Sequence, residues 1–281
     1  MAPTDIFDRA LRRQRRDRAA PGYQQADFLR RFMLDELCAR LAAVKRTFTD
    51  ALDLGCFDAA LVIPAKRLVR CDAGLAFATA AQGVQADEDR LPFADASFDL
   101  IVCAGILDQV NDVPGALSLI RRVLRPDGLF LGAFAGAGSL ATLREAMRFA
   151  EDKRPVARLH PQIDVRAAGD LLQRTGFALP VADTQRLTVR YGSLFGLTND
   201  LRQMAAGNIA PKRHPLRRDS LARASDRFAA LADPDGRTAE SFDMIFLTGW
   251  SPGPDQPRPA RRGSATTSLA DALKSSGKTD L

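Results

Sequence analysis

Apolar positions recur along the chain with two periods that alternate. Residues 27–43 carry Phe28, Leu29, Phe32, Met33, Leu37 and Leu41 at three- and four-residue spacing, which predicts an amphipathic helix. Ala51-Leu52-Asp53-Leu54-Gly55 then reads as a strand, with a turn and a helix over residues 59–65 after it. Residues 68–72 form a second short strand, 75–81 a helix of small residues, 83–87 a third strand and 97–103 a fourth, a continuous apolar run. Residues 113–124 return to helical spacing, with Val113, Ala116, Leu117, Ile120, Val123 and Leu124 on one side. Arg125-Pro126-Asp127-Gly128 is a turn signal, and residues 129–134 are a fifth strand. Short strands alternating with helices predict an α/β fold with a parallel, doubly wound sheet, whose ligands bind outside the carboxyl ends of the strands.

Beyond Phe134 the rhythm loosens. A helix is expected over 140–151, a loop at His160-Pro161, a helix over 167–175 closed by Gly176-Phe177, and a strand over 181–189. Residues 204–227 are basic and loosely helical, and 242–250 form a closing strand. The resulting division is a basic N-terminal arm and helix over 1–45, a main domain over 46–250 with a substrate-side insertion at about 136–239, and a tail over 251–281. The tail is rich in Pro, Gly, Arg and Ser and is expected to be disordered. Within the arm, Arg12, Arg13, Arg15, Arg16 and Arg18 surround a single strong apolar residue, Leu11. This pattern predicts an exposed arm or helix that ends near Pro21-Gly22, with docking to an acidic protein partner as the other reading.

Composition narrows the classes. With 46% hydrophobic and 26% charged residues, the chain is globular rather than disordered. Cys38, Cys56, Cys71 and Cys103 stand singly, so neither a zinc knuckle nor a disulfide framework is indicated. The net charge of +6 invites a nucleic-acid reading, but no aromatic residues interleave with the basic runs, and no nucleic-acid partner is expected. No apolar run approaches the ~18 residues of a membrane span, and Asp5 and Asp8 sit where a signal or transit peptide would avoid acids. A cytoplasmic protein is expected.

Chemistry concentrates in four segments: Leu52-Asp53-Leu54-Gly55-Cys56, then Asp72, then Asp87 ahead of Leu91-Pro92-Phe93, then Phe98-Asp99 leading to Arg121 through Gly128. Gly55 permits a tight strand-to-helix turn. An acid at the end of the second strand suits a ribose diol, and Asp87 suits an exocyclic amine of adenine. In this order the segments resemble the class I S-adenosylmethionine-dependent methyltransferases, over roughly 52–134. Segments outside the core extend the resemblance to almost the whole chain: Phe7-Asp8-Arg9, Leu171 to Phe177, Leu187 to Tyr191, Asp200 to Met204, Arg262 to Ala265 and Ser268 to Leu273. They resemble the methyltransferase-like respiratory complex I assembly factors, relatives of the malonyl-carrier-protein O-methyltransferase of biotin synthesis.

That resemblance implies a Rossmann-like fold and S-adenosyl-L-methionine as cofactor, bound around Asp53, Gly55, Cys56, Asp72, Asp87, Glu88 and Cys103. It also implies a respiratory complex I subunit as partner; the mitochondrial branch is associated with hydroxylation of an arginine. Two other readings stand beside it: a small-molecule or carrier-protein O-methyltransferase, and a non-catalytic binding module. Phe57 and Ala59 replace two glycines of the family pattern, Ile106 to Val110 replaces a segment with a His-Trp pair, and Pro252 to Gln256 replaces a Pro-His-Glu-Ser-Gln type segment. All three departures are expected around the pocket. Tyr191 and Trp250 are candidate pocket aromatics. His160 and His214 lie in loops, far apart in sequence, so no metal site and no catalytic residue is assigned.

Overall fold

The computed structural model describes residues 5–152, 156–254, 256 and 268. The expected tail lies almost wholly outside the described residues. Seven strands form one sheet: β1 (Phe48–Leu54), β2 (Ala65–Asp72), β3 (Val84–Gln85), β4 (Phe98–Ala104), β5 (Leu124–Ala135), β6 (Ala178–Tyr191) and β7 (Thr238–Trp250), in the order β3-β2-β1-β4-β5-β7-β6. β1 to β5 pair in parallel, while β7 runs antiparallel to both β5 and β6. The order reverses between β1 and β4, which puts the switch-point crevice at the carboxyl ends of those two strands. This is the mixed, Rossmann-like sheet of class I methyltransferases.

Alternation along the strands explains the two cores. Leu100, Val102 and Ala104 of β4 face one side with Leu129 and Leu131 of β5, whereas Ile101 and Cys103 face the other with Phe130. The first side is covered by α2 (Phe28–Ala42), α5 (Ala141–Ala150), α7 (Leu194–Gln203) and α8 (Arg218–Ala230). The second is covered by α3 (Leu75–Ala80), α4 (Val113–Val123) and α6 (Val165–Arg174). Each fully buried Leu or Phe in these layers contributes about 1.5–3 kcal/mol of transfer free energy.

Several local expectations are corrected. No helix forms over 59–65: Phe57 and Ala59 adopt left-handed backbone, φ 46° and 60°, and Pro64 precedes the next strand directly. The Arg125–Gly128 turn is absorbed into β5 as a bulge, because Phe98 pairs with Leu124 while Leu100 pairs with Leu129. Residues 194–203 are helical although no helix was expected there, and of the stretch 204–227 expected to be loosely helical only 218–227 is, within α8 (Arg218–Ala230). The signal was hidden because Ser193 caps α7 just after a long strand, its side chain accepting from the Gly196 amide. Of the stretch expected as an insertion, α6 and β6 join the sheet layers, while α5, α7 and α8 pack together beside α2.

The largest correction concerns the arm. Helix α1 (Arg9–Ala19), capped by Asp8 and followed by a 3-10 turn (Ala20–Gln25), is not a solvated face. Arg12 and Arg16 are only 4% and 0% exposed. Phe7 ties the start of α1 to the loop after β4: its amide donates to Asn111 Oδ1 at 2.8 Å, and Asn111 Nδ2 donates back to its carbonyl at 3.0 Å. The arm therefore lies over the carboxyl ends of β2 and β3.

Candidate functional site

All seven residues expected around a cofactor lie at one edge of the sheet. Asp53 is on β1, with Gly55 and Cys56 just past its end; Asp72 ends β2; Asp87 and Glu88 follow β3; Cys103 is near the end of β4. Gly55 has φ 77° and donates its amide to Cys71 O at 2.7 Å; a Cβ there would meet the Ile106 side chain at 2.7 Å. Glycine is thus required on both conformational and steric grounds. Cys56 and Cys103 are buried, and burial pushes both thiols up, which makes them packing groups rather than nucleophiles.

The acids do not face an open hollow. Arg16 donates from Nε to Asp72 Oδ1 at 2.8 Å and from Nη2 to Oδ2 at 2.6 Å. The remaining acceptor directions of Asp72 take the Gly74 amide at 2.7 Å and the Phe57 amide at 3.1 Å. Burial alone would raise this carboxyl, but Arg16 and the two amides hold it below the usual carboxylate range. Next along α1, Arg12 forks onto both oxygens of Glu88 at 2.6 and 2.7 Å, Arg13 reaches Asp87 at 2.6 Å, and Arg9 forks onto Asp89 with two bonds of 2.6 Å. Planar guanidinium-carboxylate pairs of this kind are among the stronger polar contacts a protein makes.

An aromatic cluster completes the filling. Phe57 stacks on Tyr23 with centroids 4.7 Å apart and meets Phe77 edge-on at 5.1 Å, while the Arg16 guanidinium lies 4.0 Å over the Phe57 ring. Arg30 of α2 donates to Asp53 Oδ1 at 3.2 Å, Gly55 O at 3.3 Å and Asp58 at 3.3 Å. Asp53 Oδ2 has no hydrogen-bond partner among the described residues, and burial, opposed by Arg30 and Arg70, pushes its carboxyl up to about 6.

Arg16, Tyr23, Arg30 and Asp108 join this edge although none was among the residues expected around the cofactor. For the first, a signal existed: Arg9, Arg12, Arg13 and Arg16 follow the i, i+3, i+4, i+7 spacing of a buried stripe, with arginine in place of leucine. Asp108 follows β4 in the segment that departs from the family pattern. Its Oδ1 has no hydrogen-bond partner among the described residues, and burial pushes its carboxyl up to about 6. The other departure, at 252–256, is not near this edge: Gln256 donates to Asp127 Oδ1 at 2.6 Å, at the amino end of β5. Tyr191 and Trp250 belong to the core on the α2 side instead of lining a pocket. Among the described residues no cluster of His, Cys, Asp and Glu could hold a metal ion, and no helix is long and apolar enough to cross a membrane.

Comparison with known proteins fits this geometry. A family described as a methyltransferase domain matches residues 52–132. The mitochondrial arginine-hydroxylase NDUFAF5 of Danio rerio is 32% identical over 96% of this chain and 90% of its own length. The chain belongs to the NDUFAF5 family. A malonyl-[acyl-carrier protein] O-methyltransferase of Methylovorus sp. is 30% identical over 88% of this chain and 90% of its own length, so the family joins these two kinds of relative. The solved structure of the YcgJ protein from Bacillus superposes with a TM-score of 0.55 at 15% identity, over 78% of this chain and 98% of that one, a likeness of fold.

The fold and the matched domain of the NDUFAF5 family support S-adenosylmethionine as the cofactor. In the closed arrangement seen here the residues do not admit it: both Asp72 oxygens are engaged by Arg16, and the space beside them holds the Phe57, Tyr23 and Phe77 rings.

Proposed function

We propose that this chain is an arginine-directed factor of the NDUFAF5 type, acting on a subunit of respiratory complex I, whose ligand site is covered by its own N-terminal arm. The observation that carries this reading is the row Asp72, Asp87, Glu88 and Asp89, which receives four arginine side chains from α1. A buried carboxylate flanked by an aromatic face is chemically a receptor for a guanidinium, and its relatives are named for arginine chemistry. The same acids are those that would meet the adenosyl group of S-adenosylmethionine. Both ligands therefore require α1 to lift, so the protein alternates between an arm-docked and an arm-released state.

Mass spectrometry of complex I subunits from cells with and without the chain tests it. An arginine that carries an added oxygen or methyl group only when the chain is present is the expected result. Identical arginine masses in both strains would overturn the reading, and methylation of a malonyl carrier protein by the purified chain would replace it.

A further inference from the structure

A second feature lies beside the arm. A cavity of about 1010 Å³ opens between α1, α5, α7 and the loops around residues 156–163 and 204–216. Its apolar lining includes Leu29, Leu143, Met147, Leu201 and Phe242. Arg15, Arg18, Arg202 and Arg213 also line it.

These four guanidiniums differ from those on the other side of α1. Arg9, Arg12, Arg13 and Arg16 each have a carboxylate within 2.6 Å of a guanidinium nitrogen. The guanidiniums of Arg15, Arg18, Arg202 and Arg213 form no ion pair or hydrogen bond among the described residues. A fifth arginine of the lining, Arg158, is neutralised by Glu151 through bonds of 2.7 and 2.5 Å. Asp108 is the lone carboxylate among the lining residues. Burial, and then repulsion from Arg213, Arg18 and Arg202, holds the Arg15 guanidinium below its ordinary range. Like charges gathered without a counterion raise the free energy of the empty site and lower it when an anion arrives.

We infer that this cavity binds an amphipathic oxyanion, a phosphate ester carried on an apolar chain, with the head among Arg15, Arg18, Arg202 and Arg213 and the chain against Leu143, Met147 and Phe242. Arginine forks suit the several oxygens of such a head, and the apolar surface gives the chain its own share of binding. The inference uses the cavity alone and holds whichever acceptor the acid row serves.

Titration calorimetry on the full chain with octyl phosphate, below its micelle concentration, is the direct test. Octyl phosphate should bind at least tenfold more tightly than either inorganic phosphate or octyl glucoside. The double variant Arg15→Met, Arg202→Met should weaken octyl phosphate at least tenfold, and the uncharged change Met147→Gln should weaken it while leaving inorganic phosphate unchanged. Circular dichroism identifies any variant that has failed to fold; single variants Arg202→Met and Arg213→Met, on exposed side chains, then carry the same comparison. Equal affinity for octyl phosphate and inorganic phosphate would overturn the amphipathic assignment. Undetectable binding of both, or binding only to vesicles containing phosphatidic acid, would overturn the site. Arginine masses on complex I subunits are read separately, so failure here leaves the proposed function untouched.

Discussion

Arg16 and Asp72 form a fork-to-fork ion pair, with bonds of 2.8 and 2.6 Å and neither side chain exposed. It joins residues 56 apart in sequence, and it is the deepest polar contact between the arm and the sheet. Replacing Arg16 by Met leaves a buried carboxylate with two amides and no counter-charge, which should cost about 3–5 kcal/mol. The double variant Arg16→Met, Asp72→Asn should cost less than the first change alone, because no buried charge remains. Urea unfolding of the single and double variants checks the order; a double variant less stable than Arg16→Met would contradict it.

Release of the arm should reveal cofactor binding. If the docked α1 excludes S-adenosylmethionine, millimolar cofactor should raise the melting temperature of Arg16→Ala more than that of the unaltered chain, because a ligand stabilises only the form that admits it. Equal shifts in the two proteins would mean that the arm is no barrier.

The loop after β1 offers a contrast of two substitutions at similar backbone angles. Ala59 has φ 60° and is partly exposed, so Ala59→Gly relieves a left-handed alanine at little packing cost and should stabilise by about 0.5–1 kcal/mol. Phe57 has φ 46°, but its ring packs on Tyr23, Phe77 and Arg16. Phe57→Gly should therefore destabilise by about 2–4 kcal/mol, since a lost buried aromatic outweighs the strain relieved. Thermal unfolding separates the two signs.

Two groups bordering the cavity give opposite pH dependences. His160 accepts the Ile209 amide on Nε2 at 2.9 Å, and burial, with Arg15 nearby, pushes the imidazole down to about 4. The unfolded chain takes up this proton near pH 6.5, so stability should fall as pH drops from about 6.5 to about 4, by about 1–2 kcal/mol after allowance for partial exposure. His160→Gln should flatten that limb. Asp108 is pushed up by burial to about 6, so its ionisation penalises the fold as pH rises from about 4 to about 6. Asp108→Asn should gain about 1–3 kcal/mol above pH 6 and nothing below pH 4, read from urea midpoints at both pH values.

The sheet and the acids were readable because each depends on local pattern. Short Leu- or Val-bearing runs with Asp53, Asp72 and Asp87 at or near their ends need no distant residue to be recognised as strand tips. What those acids touch was not readable in the same way. A carboxylate awaiting a ribose and one paired with a guanidinium have the same local sequence, and Arg16 stands far from Asp72 along the chain. The arginine stripe on α1 reads as a solvated face under hydrophobicity-based reasoning, although its spacing is that of a buried one. The turn at 125–128 misled for a different reason: Asp127, φ 60°, keeps turn-like geometry inside a strand whose partner β4 simply skips past it.

The antiparallel entry of β7 separates the two sides of the molecule. Trp250 pairs with Leu129 and Ser251 exchanges backbone bonds of 2.8 and 3.1 Å with Gly128 and Asp127, so the chain leaves β7 at the amino-terminal edge of the parallel strands. The arm covers the other edge. Tethering the protein to a bead or sensor surface through residues after 256 would present the arginine-filled edge to solution, whereas a fusion placed ahead of Asp5 would pull on the latch itself and report its strength as a force.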